Sequence, residues 1–235
     1  STASMRKIGS FKSQELSNTA YAVGILGLKS SNLADDFWRS LTKEAMRKID
    51  SFKSQELSNT AYAVGLLGLL PSDLVDGFWK SISSVLERLS ATEATFNPHD
   101  ISNFLYGVAL SSFAASSPVI DLETVSTLGK IVISEEPGIS EMQAQQLLQS
   151  FVWFNLEIPD DVRKAVRTND CSDITTSRLQ QRVSHCIRKP HQDEYWIDEL
   201  AVPVDTCIVD ERHVIQVDGP SHFDQYGELK IADKF

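Results

Sequence analysis

The sequence predicts an α-solenoid of stacked helix hairpins followed by a small α/β domain. Three observations carry this prediction: a long internal duplication, an amphipathic helical pattern that recurs with it, and a change of pattern near residue 177. The duplication is the clearest of the three. The segment Met5 to Leu28 returns as Met46 to Leu69 with two substitutions, 41 residues further along. A copied supersecondary unit normally stacks on itself, which favours an extended binding surface over an enzyme core.

Two weaker copies extend the array. Phe96 to Leu110 aligns with Phe52 to Leu66, and a degraded fourth copy is predicted through Met142 to Leu156. The helical domain is therefore assigned to residues 1–168, with about four repeats at residues 5–45, 46–90, 91–135 and 136–168.

Each repeat is predicted to contain two helices. Ser54 to Leu69 has no proline and closes on Gly68, with Pro71 beyond, which is typical of a helix stop. A second helix is predicted after Pro71, because apolar residues recur there at three- or four-residue steps. The face of the first helix that should pack on its neighbours consists of Leu57, Thr60, Ala61, Ala63, Val64, Leu67 and Gly68.

The opposite face of each first helix carries a polar and aromatic stripe. An amide can bond the edge of a base while a ring stacks on it, so one such group per helical repeat can read one nucleotide of RNA. The alternative is that each Asn bonds the backbone of the adjacent repeat and each Tyr is half-buried packing. The candidate RNA-binding residues are Gln14, Asn18 and Tyr21, then Gln55, Asn59 and Tyr62, then His99, Asn103 and Tyr106, and finally Gln146, which stands between Met142 and Gln149.

The phrase F-x-x-Q-E-L-S-N-T-A-Y-A-V-G-x-L-G-L, which returns after roughly forty residues, resembles the octotricopeptide-type repeats of organellar RNA-binding proteins. The resemblance covers roughly residues 5–168. It implies single-stranded RNA as the partner, held along the stacked helices, and a location in mitochondria or, alternatively, plastids. Proteins of this kind stabilise, process or help translate organellar transcripts, or bind ribosomal RNA in a mitochondrial ribosome.

Charge and composition narrow the functional classes. The formal net charge of −10 argues against indiscriminate binding of nucleic acid, which needs a basic field. The charge is uneven, at +3 over residues 1–50 and −6 over residues 169–235, so an anionic ligand should favour the first repeats. No apolar run approaches the ~20 residues of a membrane span, and no membrane partner is expected. The three cysteines lack CxxC spacing, which favours free thiols in a reducing compartment.

The pattern changes after Arg167. A polar linker is predicted at residues 169–176, then a helix from Arg178 to Arg188, then three strands in EYWIDEL, VPVDTCIV and HVIQVDG. HVIQVDGPSHF resembles the signature of the RAP domain, a small module often found C-terminal to such repeats. Residues 177–235 are therefore assigned to a RAP-like α/β domain, which looks incomplete at its C-terminus. The RAP domain is similar in outline to the restriction-endonuclease-like fold.

That similarity implies where a nuclease site would lie. Such nucleases hold a divalent cation between an Asp on one strand and an acidic residue on the next, with a Lys two positions later. Asp205 matches the first acid, Gln216 stands at the second position, and Asp218 replaces the Lys. Because Gln lacks the anionic charge that a hard cation such as Mg²⁺ prefers, we expect a non-catalytic, RNA-contacting role without a cofactor.

Two alternatives stay open. The first is an RNA endonuclease at the RAP-like site, which would require Mg²⁺. The second is a scaffold that grips protein within a ribonucleoprotein, which the acidic net charge favours. In a mitochondrial ribosome, neighbouring basic proteins could offset that charge, and RNA and protein partners would then coexist.

Overall fold

The computed structural model describes residues 7–28, 33, 36–91, 97–134, 139–167, 178–197 and 202–217. Over these ranges the chain is mostly helical, and a three-stranded antiparallel sheet follows the helices. The predicted linker at residues 169–176 and the residue Asp218 lie outside the described residues.

The described secondary structure follows the predicted order of helical repeats and then a mixed segment. The helices are α1 (Ser13–Ile25), α2 (Phe37–Arg47), α3 (Ser54–Leu66), α4 (Phe78–Ala91), α5 (Pro98–Ala115), α6 (Leu122–Ser134), α7 (Glu141–Trp153), α8 (Asp160–Arg167) and α9 (Arg178–Cys186). The strands are β1 (Gln192–Ile197), β2 (Val202–Ile208) and β3 (His213–Ile215).

The first helix of each predicted repeat begins with a local cap, because the N–H groups of a first turn lack partners within the helix. In α1 and α3 the carboxylate of the third helical residue accepts from the backbone N–H just before the helix, at 2.7 Å for Glu15 and 2.5 Å for Glu56. In α5 the side chain of Asn97 accepts from the N–H of Asp100 at 2.8 Å. In α7, Ser140 and Gln143 form a reciprocal capping box.

These four helices also end alike. In α3 the N–H of Leu69 bonds the carbonyl of Val64 and the N–H of Gly68 bonds that of Gly65, which is the Schellman pattern. The same pair of bonds closes α1, α5 and α7. The left-handed residue at each end has a φ between 52° and 65°, and the four residues are Gly27, Gly68, Ser116 and Asn155. The predicted stop at Gly68 is confirmed, and the degraded fourth copy ends with the same geometry as the first.

The helices pack in two rows. In the first row α1 contacts α3, α3 contacts α5, and α5 contacts α7, with α8 beyond. In the second row α2 contacts α4 and α4 contacts α6. One hydrophobic core joins the rows, and the predicted packing face of α3 lies in it, with Leu57, Ala61 and Val64 fully buried. The prediction for that face is confirmed.

Glycines set the distance between α3 and α5. A Cβ built on Gly65 would lie 2.3 Å from the carbonyl oxygen of Gly107, and a Cβ on Gly107 would lie 2.6 Å from the backbone of Ala61. Neither position has room for a side chain, so the two backbones touch directly. This contact holds α5 unusually tightly against α3.

Some predicted boundaries need correction. The helix after Pro71 begins only at Phe78, because residues 71–73 form a single 3-10 turn. The sheet has the order β1-β2-β3 with antiparallel pairing throughout, and α9 ends two residues before the predicted Arg188. β1 starts at Gln192, two residues earlier than predicted. The helix and three strands expected after the linker are otherwise present.

Candidate nucleic-acid interface

The stripe is accessible on α1 and α3. Gln14, Asn18 and Gln55 are exposed, and Asn59 is half-buried. Within the part of the chain that the structure describes, none of these four amide side chains has a hydrogen-bond partner. Each amide therefore presents an unused N–H donor beside an unused C=O acceptor. We call helices α1 and α3 the open pair. Their accessible face carries Gln14, Asn18, Tyr21, Gln55, Asn59 and Tyr62.

Tyrosine rings align along the stripe. The centroids of Tyr21 and Tyr62 lie 6.1 Å apart with an interplanar angle of 26°, and those of Tyr62 and Tyr106 lie 6.2 Å apart at 39°. Tyr21 is the most accessible ring, with 38% of its surface exposed. The three rings come from three successive helices of the first row. Equivalent positions of the copied repeats therefore lie side by side, as stacked parallel helices require.

Burial changes the chemistry of the central ring. Burial raises the pKa of Tyr62 above its ordinary value, and the neighbouring Tyr21 raises it further, whereas a hydrogen bond with Gln146 lowers it. The net shift of the Tyr62 pKa is upward, so the phenol is neutral at physiological pH, as an ordinary tyrosine also is. Its ring can stack, and its hydroxyl is held towards α7.

The stripe closes at the third and fourth units. His99 is exposed, but Asn103 and Tyr106 retain only 5% and 8% of their surface, and Gln146 retains 8%. Every residue of α5 from Asp100 to Ser112 is buried. The expectation of an open stripe along all four units is therefore wrong for Asn103, Tyr106 and Gln146. A role for these residues in RNA binding stays a prediction, and this conformation gives a base no access to them.

The buried amides bond one another. The side-chain nitrogen of Gln146 donates to Asn103 Oδ1 at 3.0 Å, and Asn103 Nδ2 lies 3.0 Å from His99 Nε2. His99 Nε2 accepts this bond when the imidazole is neutral and carries its proton on Nδ1. We call helices α5 and α7, which are joined by Asn103, His99 and Gln146, the closed pair. The proposed alternative of Asn–backbone bonds between repeats does not describe Asn103, whose partners are side chains.

A second polar joint links the starts of α3 and α5, and sequence reasoning missed it. Asp100 Oδ2 accepts from Ser54 Oγ at 2.8 Å and from Asn97 Nδ2 at 3.0 Å. Burial raises the pKa of Asp100, while these hydrogen bonds and the nearby His99 lower it, and the net shift is upward. The Asn97-Pro98 dipeptide, a helix-start signal, was the available clue.

Basic groups differ between the units. Lys12 and Lys53 immediately precede α1 and α3, and both are exposed, with no partner for their ammonium groups among the described residues. The equivalent positions before α5 and α7 hold Asn97 and Ser140, which are neutral. Lys48, by contrast, bonds the carbonyl oxygens of Gly9 and Phe11 and so is used structurally. Free positive charge therefore flanks the open pair alone among these four helix starts.

At the RAP-like site the structure brings Asp205 and Gln216 together. Asp205 Oδ2 accepts from the N–H of Val217 at 2.5 Å, and the N–H of Asp205 points at Gln216 Oε1 at 3.5 Å. These contacts extend the pairing of β2 with the chain beyond β3. No group of three or more potential metal ligands occurs among the described residues.

Glu194 also lies near Asp205, although no sequence motif pointed to it. It lies in β1 opposite β2 with φ at 51°, a left-handed conformation that is uncommon outside glycine. Gln180 on α9 donates to Glu194 Oε1 at 2.8 Å and to the carbonyl of Asp205 at 3.2 Å. A helix glutamine therefore ties the two strands at the site where acidic residues would be needed for cation binding.

No family model and no curated protein sequence matches the chain. The likeness to octotricopeptide-type repeats and to the RAP domain therefore rests on the quoted motifs. Across the described residues, none of the helices is both long and apolar enough to cross a membrane.

Proposed function

We propose that the chain binds single-stranded RNA along the open pair, as an α-solenoid of helical repeats. The observation that carries the proposal is the coincidence of four unpartnered amides with a row of tyrosine rings on adjacent copied helices. Amides can bond base edges and rings can stack on base faces.

Single strands suit this surface better than duplexes, because unpaired bases expose both their edges and their faces. Lys12 and Lys53 stand at one end of the surface, where they can contact phosphates. Two lysines are a weak basic field beside a net charge of −10. Affinity should therefore depend more on stacking and base-edge bonds than on counterion release.

The closed pair has a different part in this proposal. The bond from Gln146 Nε2 to Asn103 Oδ1 joins α7 to α5, which in turn packs against α3. The packing of α3 against α5 therefore favours a pre-organised surface on the open pair. Lower reorganisation on binding favours affinity.

The RAP-like segment is proposed as an accessory RNA contact with the outline of the restriction-endonuclease-like fold. The motif resemblances favour a place in organellar RNA metabolism, in mitochondria or alternatively in plastids. Transcript stability, processing, translation and binding of ribosomal RNA all fit a protein that holds single strands without cleaving them.

The test is a binding measurement. Fluorescence anisotropy with a labelled twelve-nucleotide RNA of random sequence should show saturable binding, and Gln14→Ala, Asn18→Ala, Gln55→Ala and Asn59→Ala combined should weaken it by about 10-fold or more. Gln145→Ala, an exposed amide of α7 outside the stripe, is the matched control and should change nothing. Unchanged affinity of the fourfold variant, with native circular dichroism, would refute the proposal.

An RNA endonuclease is the second candidate, because Asp205 and Gln216 do lie side by side. Against it, Asp205 already accepts a backbone N–H and Gln216 supplies no charge. The candidate requires Mg²⁺-dependent cleavage of RNA that Asp205→Ala abolishes. If several RNAs remain uncleaved after incubation with the folded protein and Mg²⁺, this candidate is refuted.

A further inference from the structure

The two helices of the open pair are chemically identical where they could touch RNA. Every residue from Lys12 to Gly24 matches its counterpart from Lys53 to Gly65. Both helices have the same length, the same glutamate at the cap and the same glycine end. Sequence identity is therefore accompanied by identical local geometry.

The two helices also present their groups in the same way. The ring centroids of Tyr21 and Tyr62 lie 6.1 Å apart, and the amides stand at the same positions relative to these rings in the two sequences. The amides of both helices lack partners among the described residues. A nucleotide contacting α1 and the next nucleotide contacting α3 would meet the same donors, acceptors and ring.

The other two units do not share this property. Asn103 and Gln146 bond each other, and both are more than nine-tenths buried. A base cannot exchange hydrogen bonds with groups that it cannot reach. Among the candidate RNA-binding amides, only those of α1 and α3 are therefore accessible to a base in this structure.

We infer that the chain selects single-stranded RNA containing two identical bases in succession, one read by α1 and the other by α3. The inference rests on the proposed function and adds the substrate class to it. Each amide offers a donor beside an acceptor, so it matches any base edge that presents the complementary pair. Identical readers have identical preferences, whichever base they prefer.

The surroundings of the two helices differ at the ring and at the amide. Tyr21 is exposed, whereas Tyr62 is half-buried and bonded to Gln146. Asn18 is exposed, whereas Asn59 is half-buried because α5 packs against α3. Access to the second amide is narrower. We therefore expect the same preference at both positions, with weaker discrimination at the α3 position.

The experiment uses sixteen labelled RNAs that share abasic flanks and differ only in one central dinucleotide. Affinity for the intact chain is measured for all of them. The tightest should be AA, CC, GG or UU, and replacing either base should weaken binding by about 5-fold or more, as one lost bidentate contact predicts. A mixed dinucleotide as the best ligand, or sixteen equal affinities, overturns this inference and leaves the proposed function standing. Failure of every RNA, including the random twelve-mer, overturns both.

Matched single variants assign the positions. Asn18→Ala should relax selection at one nucleotide of the pair, and Asn59→Ala should relax it at the other. A merely structural asparagine would lower all sixteen affinities in proportion instead. Gln145→Ala again serves as the control and should leave the whole pattern unchanged. Relaxation of the same nucleotide by both asparagine variants would overturn the inference.

Discussion

Asn18 and Asn103 occupy equivalent positions in two helices that end with the same geometry, yet their environments are opposite. The amide of Asn18 is exposed and unpartnered in the described structure, whereas that of Asn103 is buried between His99 and Gln146. The open pair and the closed pair therefore show that a repeated pattern fixes where a side chain stands along a helix. It does not fix whether that side chain can be reached.

The cause lies in the packing around α5. This helix lies between α3 and α7 in the first row and also contacts α6. Close glycine contacts are shared by both neighbours of α3, since a Cβ on Gly24 of α1 would also lie 2.8 Å from Ala63, so the difference lies in the number of helices around α5. α1, in contrast, has α3 as its neighbour in the row and leaves its own stripe exposed.

The largest effect should come from filling the glycine contact. Gly65→Ala places a Cβ 2.3 Å from the carbonyl oxygen of Gly107, so backbone must move, and unfolding free energy should fall by about 3 kcal/mol. Urea denaturation followed by circular dichroism measures it. Gly9→Ala is the control, since nothing lies within 4 Å of its Cβ, and it should stay within about 0.5 kcal/mol of the parent. Equal stability of the two variants would contradict the described contact.

The next effect separates the two asparagines. Asn103→Ala removes the buried acceptor of the Gln146 amide nitrogen and the amide that bonds His99 Nε2, which should cost about 2 kcal/mol of unfolding free energy. Asn18→Ala breaks no described bond and should leave stability within about 0.5 kcal/mol. Thermal and urea unfolding of both variants decide the matter. Similar losses of unfolding free energy in the two variants would contradict the claim that only Asn103 makes stabilising hydrogen bonds.

Salt dependence sharpens the comparison on the RNA side. Lys12→Ala and Lys53→Ala should each reduce the slope of log affinity against log salt by about 0.7, the value for one phosphate contact on a single strand. Lys43→Ala, on exposed surface of α2, should leave the slope unchanged. The measurement is anisotropy titration of one RNA between low and moderate salt. If neither substitution alters the slope, Lys12 and Lys53 do not contact phosphates of the RNA.

The smallest effect concerns Asp100, the buried acid in the first turn of α5. The pKa of Asp100 is raised in the folded state, so its stabilising contribution is present below the unfolded pKa and is lost as pH rises through the folded pKa. The stability of the parent relative to Asp100→Asn should therefore improve as pH falls from 7 towards 4. Urea denaturation of both proteins at several pH values checks the sign. A relative stability that worsens on acidification would show that the carboxylate is favoured in the fold.

Local pattern alone was enough for much of this molecule. The apolar face of α3 and the stop at Gly68 follow from periodicity and from glycine's tolerance of positive φ, and both are confirmed. The helix and three strands after the linker were predicted in order, with errors of a few residues at their ends. Such boundaries depend on capping bonds that periodicity does not encode.

What the sequence determined by itself is the register: which residues of each copy share a face and stand at the same height. What only the tertiary structure decided is accessibility and partnership. Gln146 bonds Asn103 because α7 packs on α5, and Gln180 bonds Glu194 because β1 lies against α9. Both contacts join residues far apart in the chain or turned by an unusual φ, and burial is a property of the neighbours rather than of the residue. That is why one repeated stripe is an accessible face on α1 and α3 and a buried joint between α5 and α7.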